Sequence, residues 1–266
     1  MASSNPLLSR SGKTPLEVAT KAAKKAGKIL VDHFGSTTVI KQKSRGNLVT
    51  EVDALSEKLI LDLLRVEYPN HRVLSEETNS STTVEGYTWI VDPLDGTNNY
   101  VFGVPHFCVN IALAENHEIL LGLTYDPMKK ELFHAEKGHG AHLNGKPLQV
   151  SQVPVLEDSL VGFDLGYNDA EAKLLLSAAN KLWGRVHCMR MMGSAALGLA
   201  YVACGRMSLY FHRYIYPWDI ASGILLIREA GGDVVDWEGK RASVASQKVV
   251  ASSKRLCKKF LSEVST

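Results

Sequence analysis

Trp89-Ile90-Val91-Asp92-Pro93-Leu94-Asp95-Gly96-Thr97-Asn98-Asn99-Tyr100, WIVDPLDGTNNY, runs an apolar triplet into two acids three residues apart. The triplet reads as a strand. Pro93 predicts that it ends at Asp92, because proline cannot donate to a ladder and pushes the residue before it into an extended conformation. On a continued strand Asp92 and Asp95 would face opposite ways, about 10 Å apart. A turn is needed to join them: Pro93 and Gly96 suit one, and Thr97 can then open a segment whose amides face an anion. Two carboxylates about 4 Å apart repel by about 4 kcal/mol at an effective dielectric of 20, so a convergent pair needs a proton or a cation. Asp-Pro and Asp-Gly are also common turn dipeptides, and the stretch alone fits a polar turn as well.

Other acids repeat the pattern. Glu76 and Glu77 follow the apolar run in VLSEET, and Asp219 follows a proline in YPWDIAS at the start of an apolar helix. Singly, they read as a solvated loop and a first-turn helix acid. Together, strand-end and helix-start acids are what an oxygen-ligand site for Mg²⁺ requires. Nine scattered histidines and four cysteines without a CxxC pair (Cys108, Cys188, Cys204 and Cys257) disfavour zinc and a disulfide framework. Free thiols of this kind suit a reducing cytoplasm.

Around these motifs the chain divides by period. Thr14-Pro15-Leu16-Glu17 is a capping box, and the apolar spacing after it predicts a helix over 15–34. A polar segment through Lys41, Lys43 and Arg45 leads to a second helix starting just after Asp53, which is a candidate for its N-cap. Residues 87–150 read as a sheet with tight turns. Beyond 150, helices near 169–183, 194–204, 219–230 and 253–263 alternate with strands near 159–163, 186–191, 207–211, 233–236 and 248–251. The expected fold class is α/β, with helices layered on mixed or antiparallel sheets in a single domain of 1–266. Its halves are about 15–150 and 151–266, with 1–14 as a flexible tail. That tail has Ser, Lys and Arg but no acid; it is short for a targeting segment. A net charge of +2, from 30 basic and 28 acidic residues, offers no field for a nucleic-acid or membrane partner, and no apolar run nears the roughly 20 residues of a membrane helix.

The chain resembles the inositol monophosphatase family across about residues 15–262. WIVDPLDGTNN is similar to the family signature W-I-[VI]-D-P-[IL]-D-G-T-x-N. Pro217-Trp218-Asp219-Ile220-Ala221, followed by Glu229-Ala230-Gly231-Gly232, is similar to its W-D-x-A and E-A-G-G. Ser75-Glu76-Glu77, Leu48-Val49-Thr50-Glu51-Val52-Asp53 and Gly193-Ser194-Ala195-Ala196 add to the match.

This resemblance implies a layered α/β/α/β/α sugar-phosphatase fold, a homodimer, and a lithium-sensitive phosphoric monoester hydrolase with two or three Mg²⁺ ions beside the substrate phosphate. Carried over by motif, Glu76, Asp92 and the Leu94 carbonyl hold the first metal, and Asp92, Asp95 and Asp219 the second. Asp53 and Thr97 orient or deprotonate the attacking water, with Glu76 beside them in the catalytic set, and the Gly96 and Thr97 amides hold phosphate oxygens. Two metals in this arrangement activate water and stabilise the leaving oxygen without a covalent phospho-enzyme. Asp95, Ala195 and Asp219 also fall at substrate-contacting positions.

In inositol-specific members an acid before the W-D motif binds ring hydroxyls; His212 stands there, followed by Arg213. The resemblance thus implies inositol monophosphate or a related small sugar phosphate as substrate, while His212 and Arg213 fit fructose 1,6-bisphosphate, NADP or a nucleotide phosphate. Lys43 matches a loop lysine near a third metal, with spacing one residue short. Some bacterial relatives act mainly as partners of transcription or RNA machinery, a reading that the intact acidic set disfavours.

Overall fold

The computed structural model describes residues 7–36, 39–44, 47–78 and 83–264. Thr14 caps α1 (Pro15–His33) through the expected box, with the Thr14 N–H donating to Glu17 at 2.8 Å. Of the expected flexible tail, the part described is held down. The Arg10 N–H donates to the Glu67 carbonyl at 2.9 Å, and the Ser11 hydroxyl to the Glu67 carboxylate at 2.7 Å.

The polar segment after α1 is an antiparallel hairpin of β1 (Val39–Ser44) and β2 (Asn47–Thr50). Arg45 and the side chains of Lys41 and Lys43 lie outside the described residues, so the Lys43 expectation does too. α2 (Glu51–Glu67) begins before Asp53, which corrects the expected start and cap. Thr50 is the N-cap, and Asp53, third in the helix, accepts the Thr50 N–H at 2.8 Å. The reciprocal Thr50–Asp53 pair satisfies two orphan amides, which is why the helix starts there.

β3 (Arg72–Ser75) and β4 (Tyr87–Asp95) precede the short helix α3 (Thr97–Val101). β5 (Cys108–Glu115), β6 (Glu118–Asp126), β7 (Glu131–Glu136), β8 (Ala141–Leu143) and β9 (Lys146–Pro147) follow. These strands form a seven-stranded sheet in chain order, parallel between β3 and β4 and antiparallel thereafter.

The rest of the chain runs β10 (Leu160–Phe163), α4 (Asp169–Leu182), β11 (Cys188–Met191), α5 (Ala195–Ala203), β12 (Leu209–His212) and α6 (Pro217–Glu229), then β13 (Asp233–Val235), β14 (Val249–Ser252) and α7 (Lys254–Val264). Its five-stranded sheet has the order β11-β10-β12-β14-β13, and β10 is parallel to both its neighbours.

Strand alternation assigns the layers. Val91, Ile111 and Leu113 face α1 and α2, while Ile90, Ala112 and Ala114 face the interior shared with α5 and α6. On the second sheet Tyr210 and Ala251 face that same interior, while Leu209, Phe211 and Val250 pack under α4 and α7. This is the five-layer α/β/α/β/α stack, with α5 and α6 between the sheets.

Pro93 does not end β4. Asp92 pairs with Asn110 and Asp95 with Cys108, so three residue steps on β4 span two on β5. The extra residue is a bulge, and it performs the reorientation that a turn was expected to supply: it restores the odd step and brings both acids to one side.

Candidate metal centre

Asp92, Asp95 and Asp219 each place a carboxylate oxygen within 4.8 Å of the others, from the bulged end of β4 and the first turn of α6. They line a cleft of about 320 Å³ between the sheets, together with Glu76, Leu94, Gly96, Thr97, Ala195 and His212. No lysine or arginine stands among the described residues of that lining. Burial holds Asp92 well above the usual carboxylate range, and the charges of Glu76, Asp95 and Asp219 push it the same way. Acids this close and this dry stay ionised together only beside a cation, and an all-oxygen donor set suits a hard divalent one.

Three helix starts supply partial positive charge where, among the described residues, no basic side chain lines the cleft. Asp95 accepts from the first turn of α5: its Oδ2 takes the Ser194 hydroxyl and the Ala196 N–H at 2.9 Å, and its Oδ1 takes the Ala195 N–H at 3.3 Å. Burial raises the Asp95 pKa, and these donors pull it back. Asp219, third in α6, accepts the Tyr216 N–H at 2.8 Å. Asp53 occupies the same position in α2.

Asp53, no longer the N-cap itself, divides its two oxygens between the Thr50 capping box and the cleft. Oδ2 serves the Thr50 cap, and Oδ1 lies 3.2 Å from the Thr97 hydroxyl. The same hydroxyl is 3.0 Å from the Leu94 carbonyl, and its single hydrogen can serve only one of these acceptors at a time. Burial raises the Asp53 pKa, against the lowering effect of the Thr50 and Thr97 bonds.

Gly96 leads into α3 with φ of 93°, and a Cβ there would lie 3.0 Å from the His106 carbonyl and 3.2 Å from that of Gly193. Only glycine fits. Thr97 opens the helix, so its N–H has no intrahelical acceptor and suits an anion.

Ala195 lines the cleft, though its N–H is directed at Asp95. His212 is 4% exposed and accepts the Tyr214 N–H at 3.1 Å; burial pushes its pKa down to about 4, so it is a neutral imidazole. Arg213 is not among the lining residues, contrary to the expected substrate contact. Its Nε donates to Glu171 at 2.7 Å, and its guanidinium lies 4.4 Å over the Trp237 ring.

The sequence reading missed Asp164, Tyr167 and Tyr216 in the lining. Asp164 ends the apolar run Leu160-Val161-Gly162-Phe163 as Asp92 and Glu76 end theirs, so the same pattern could have found it. The tyrosines carried no such signal.

Residues 13–266 match the profile of the Inositol monophosphatase family. The chain is 40% identical over 253 residues to inositol monophosphatase 1 of Solanum lycopersicum, which covers 92% of this chain and 93% of the tomato protein. It is 36% identical over 253 residues to the Nus factor SuhB of Escherichia coli K12, with 94% and 95% covered. The crystal structure of the extragenic suppressor protein suhB from Bartonella henselae superposes with a TM-score of 0.87 at 34% identity, covering 94% of this chain and 97% of that one.

Proposed function

The chain belongs to the inositol monophosphatase family and is a phosphomonoester hydrolase; on that premise we propose that it is Mg²⁺-dependent and acts on inositol monophosphate or a related small monoester with an otherwise uncharged alcohol. The observation that carries this reading is a cleft in which Glu76, Asp92, Asp95 and Asp219 stand without a lysine or arginine among the described lining. Glu76, Asp92, Asp95, Asp219 and the Leu94 carbonyl would hold Mg²⁺, which would supply the charge that offsets the phosphate dianion and lower the pKa of a bound water. Thr97 stands where it would relay a proton from an attacking water to Asp53 Oδ1, leaving Oδ2 with Thr50. The Gly96 and Thr97 amides meet the phosphate oxygens.

A bisphosphate, NADP or another phosphorylated nucleotide needs a second cationic contact. His212 is neutral and Arg213 is engaged by Glu171, so neither favours these substrates. In a phosphate-release screen, inositol monophosphate is expected to exceed fructose 1,6-bisphosphate, NADP and 3′-phosphoadenosine 5′-phosphate by at least about tenfold in kcat/KM, one factor of ten being 1.36 kcal/mol. Lithium inhibits the same assay. A preference for any bisphosphate would reverse the assignment.

Cation binding is also expected to be visible without substrate. Asp92 and Asp95 have raised pKa values in the fold, so the folded state binds more protons, and stability falls as pH rises from the ordinary Asp value near 4 through the folded values. Mg²⁺ at about 100 times its Kd adds about 2.7 kcal/mol, or roughly 5–10 °C in Tm. Because protons compete for the same oxygens, the gain is larger at pH 8 than at pH 5.5. A Tm indifferent to Mg²⁺ at pH 8 would refute the cation site.

The four cysteines are free, in keeping with a cytoplasmic setting, and Phe102 and Val104, exposed beyond α3, offer apolar surface for a homodimer. Likeness to a relative named Nus factor supports a second reading, in which the chain also meets transcription machinery. A transcription partner retained by Asp92→Asn would mark that role as separate from hydrolysis.

A further inference from the structure

Asp164 is the remaining acid among the described lining residues once the four proposed ligands are set aside. It is buried, and both its oxygens are engaged by protein donors. Oδ1 accepts the Met192 N–H at 2.9 Å and the Gly193 N–H at 2.6 Å, and Oδ2 accepts the Tyr210 hydroxyl at 2.8 Å. Tyr210 has no room to move: a Cβ added at Gly198 would lie 2.5 Å from its ring, and one at Gly162 would lie 3.1 Å away. On the other side of the segment, Asn99 Nδ2 donates to the Met192 carbonyl at 2.9 Å. The 192–193 backbone is therefore clamped between Asp164, just past β10, and Asn99 on α3. The residues that follow it, Ser194 to Ala196, are those that hold both oxygens of Asp95.

We propose that Asp164 is a positioning residue for the cation site: by fixing Met192 and Gly193 it sets the start of α5, and the start of α5 sets the Asp95 carboxylate. The inference rests on Asp95 being a cation ligand, as proposed above. A partner that orients a ligand commonly contributes about 10–100-fold in metal affinity or activity. Asp164 touches no reacting atom, so its effect falls on the metal requirement.

The test uses the full chain and Mn²⁺ as a spectroscopically visible stand-in for Mg²⁺, with binding followed by electron paramagnetic resonance in the absence of substrate. Phosphate release is measured in parallel over ranges of Mg²⁺ and substrate. Asp164→Ala is expected to weaken Mn²⁺ binding about tenfold or more and to raise the Mg²⁺ requirement in step, with KM at saturating Mg²⁺ within about twofold of wild type. Asp164→Asn keeps an oxygen for the two amides and turns its NH₂ to the Tyr210 oxygen, so it restores most of the binding. Tyr210→Phe keeps the packed ring and shifts binding in the same direction by less; it decides the question if Asp164→Ala does not fold.

Wild-type Mn²⁺ affinity in Tyr210→Phe and in a folded Asp164→Ala would overturn the proposal. So would an Asp164→Asn variant as weak as Asp164→Ala. If wild type binds Mn²⁺ but hydrolyses no monoester offered, the substrate reading fails while the binding series still decides the role of Asp164. If wild type binds no Mn²⁺, both fall together.

Discussion

Asp92→Asn is expected to abolish Mg²⁺-dependent phosphate release while the metal-free protein melts no lower than wild type. The substitution keeps an oxygen for the Leu94 N–H, which donates to Asp92 Oδ1 at 3.0 Å, so the bulge in β4 retains its local bond. What it removes is a charge buried beside Glu76, Asp95 and Asp219, whose repulsion is offset only by a cation or a proton. Activity should drop by more than the roughly 10–100-fold typical of residues that merely support a ligand. The stability effect has the opposite sign and depends on pH. Asp92 is harder to ionise in the fold than in the unfolded chain, so without metal it lowers stability once pH exceeds its unfolded value near 4. The Asn variant should therefore gain on wild type at pH 8, and the difference should vanish as pH falls towards 4. Turnover above about one per cent of wild type, with an unchanged Mg²⁺ requirement, would remove Asp92 from the ligand set.

Gly122→Ala should cost about 3 kcal/mol, lowering Tm by roughly 6–12 °C, although it lies on β6 and makes no contribution to the cleft lining. A Cβ at that position would stand 2.7 Å from the Ser222 carbonyl oxygen and 2.8 Å from the Ser222 Cα. Both are backbone atoms of α6, so relief requires the helix to lift. Around this contact the Thr124 and Ser222 hydroxyls lie 2.9 Å apart, and Asn110 Nδ2 donates to the Trp218 carbonyl at 2.6 Å. The second of these bonds seats the first turn of α6, which carries Asp219, and the first holds the next turn. Lifting it draws one carboxylate away from Asp92 and Asp95, so the Mg²⁺ requirement should rise along with the loss of Tm. A variant melting within about 1 °C of wild type would show that α6 does not depend on this close approach.

The elements legible in the sequence were those that short-range chemistry specifies. The α1 cap, the helix beginning near Ala195 and the strand Leu209–His212 each follow from a cap residue or an apolar period within a few positions. The errors have the same origin. By its local effect Pro93 predicts a strand end, but the neighbouring β5 carries the ladder past it through a bulge. Asp53 suggests a cap because it precedes an apolar run; Thr50, three residues earlier, is the cap and forms the reciprocal pair with it.

Sequence alone determined the kind of chemistry. Acids ending apolar runs or beginning helices, without histidine or cysteine partners, suit oxygen ligands for a hard cation, and their wording in WIVDPLDGTNNY marks the family. The tertiary structure decided how those acids are held and what surrounds them. Asp95 takes its donors from residues about a hundred positions away, Asp53 divides its two oxygens between a cap and Thr97, and Arg213 leaves the cleft for Glu171 and Trp237. Residue type and spacing specify what a side chain can bind. Which oxygen faces the cleft depends on contacts between segments far apart in the chain, and those exist only once the two sheets have closed around α5 and α6.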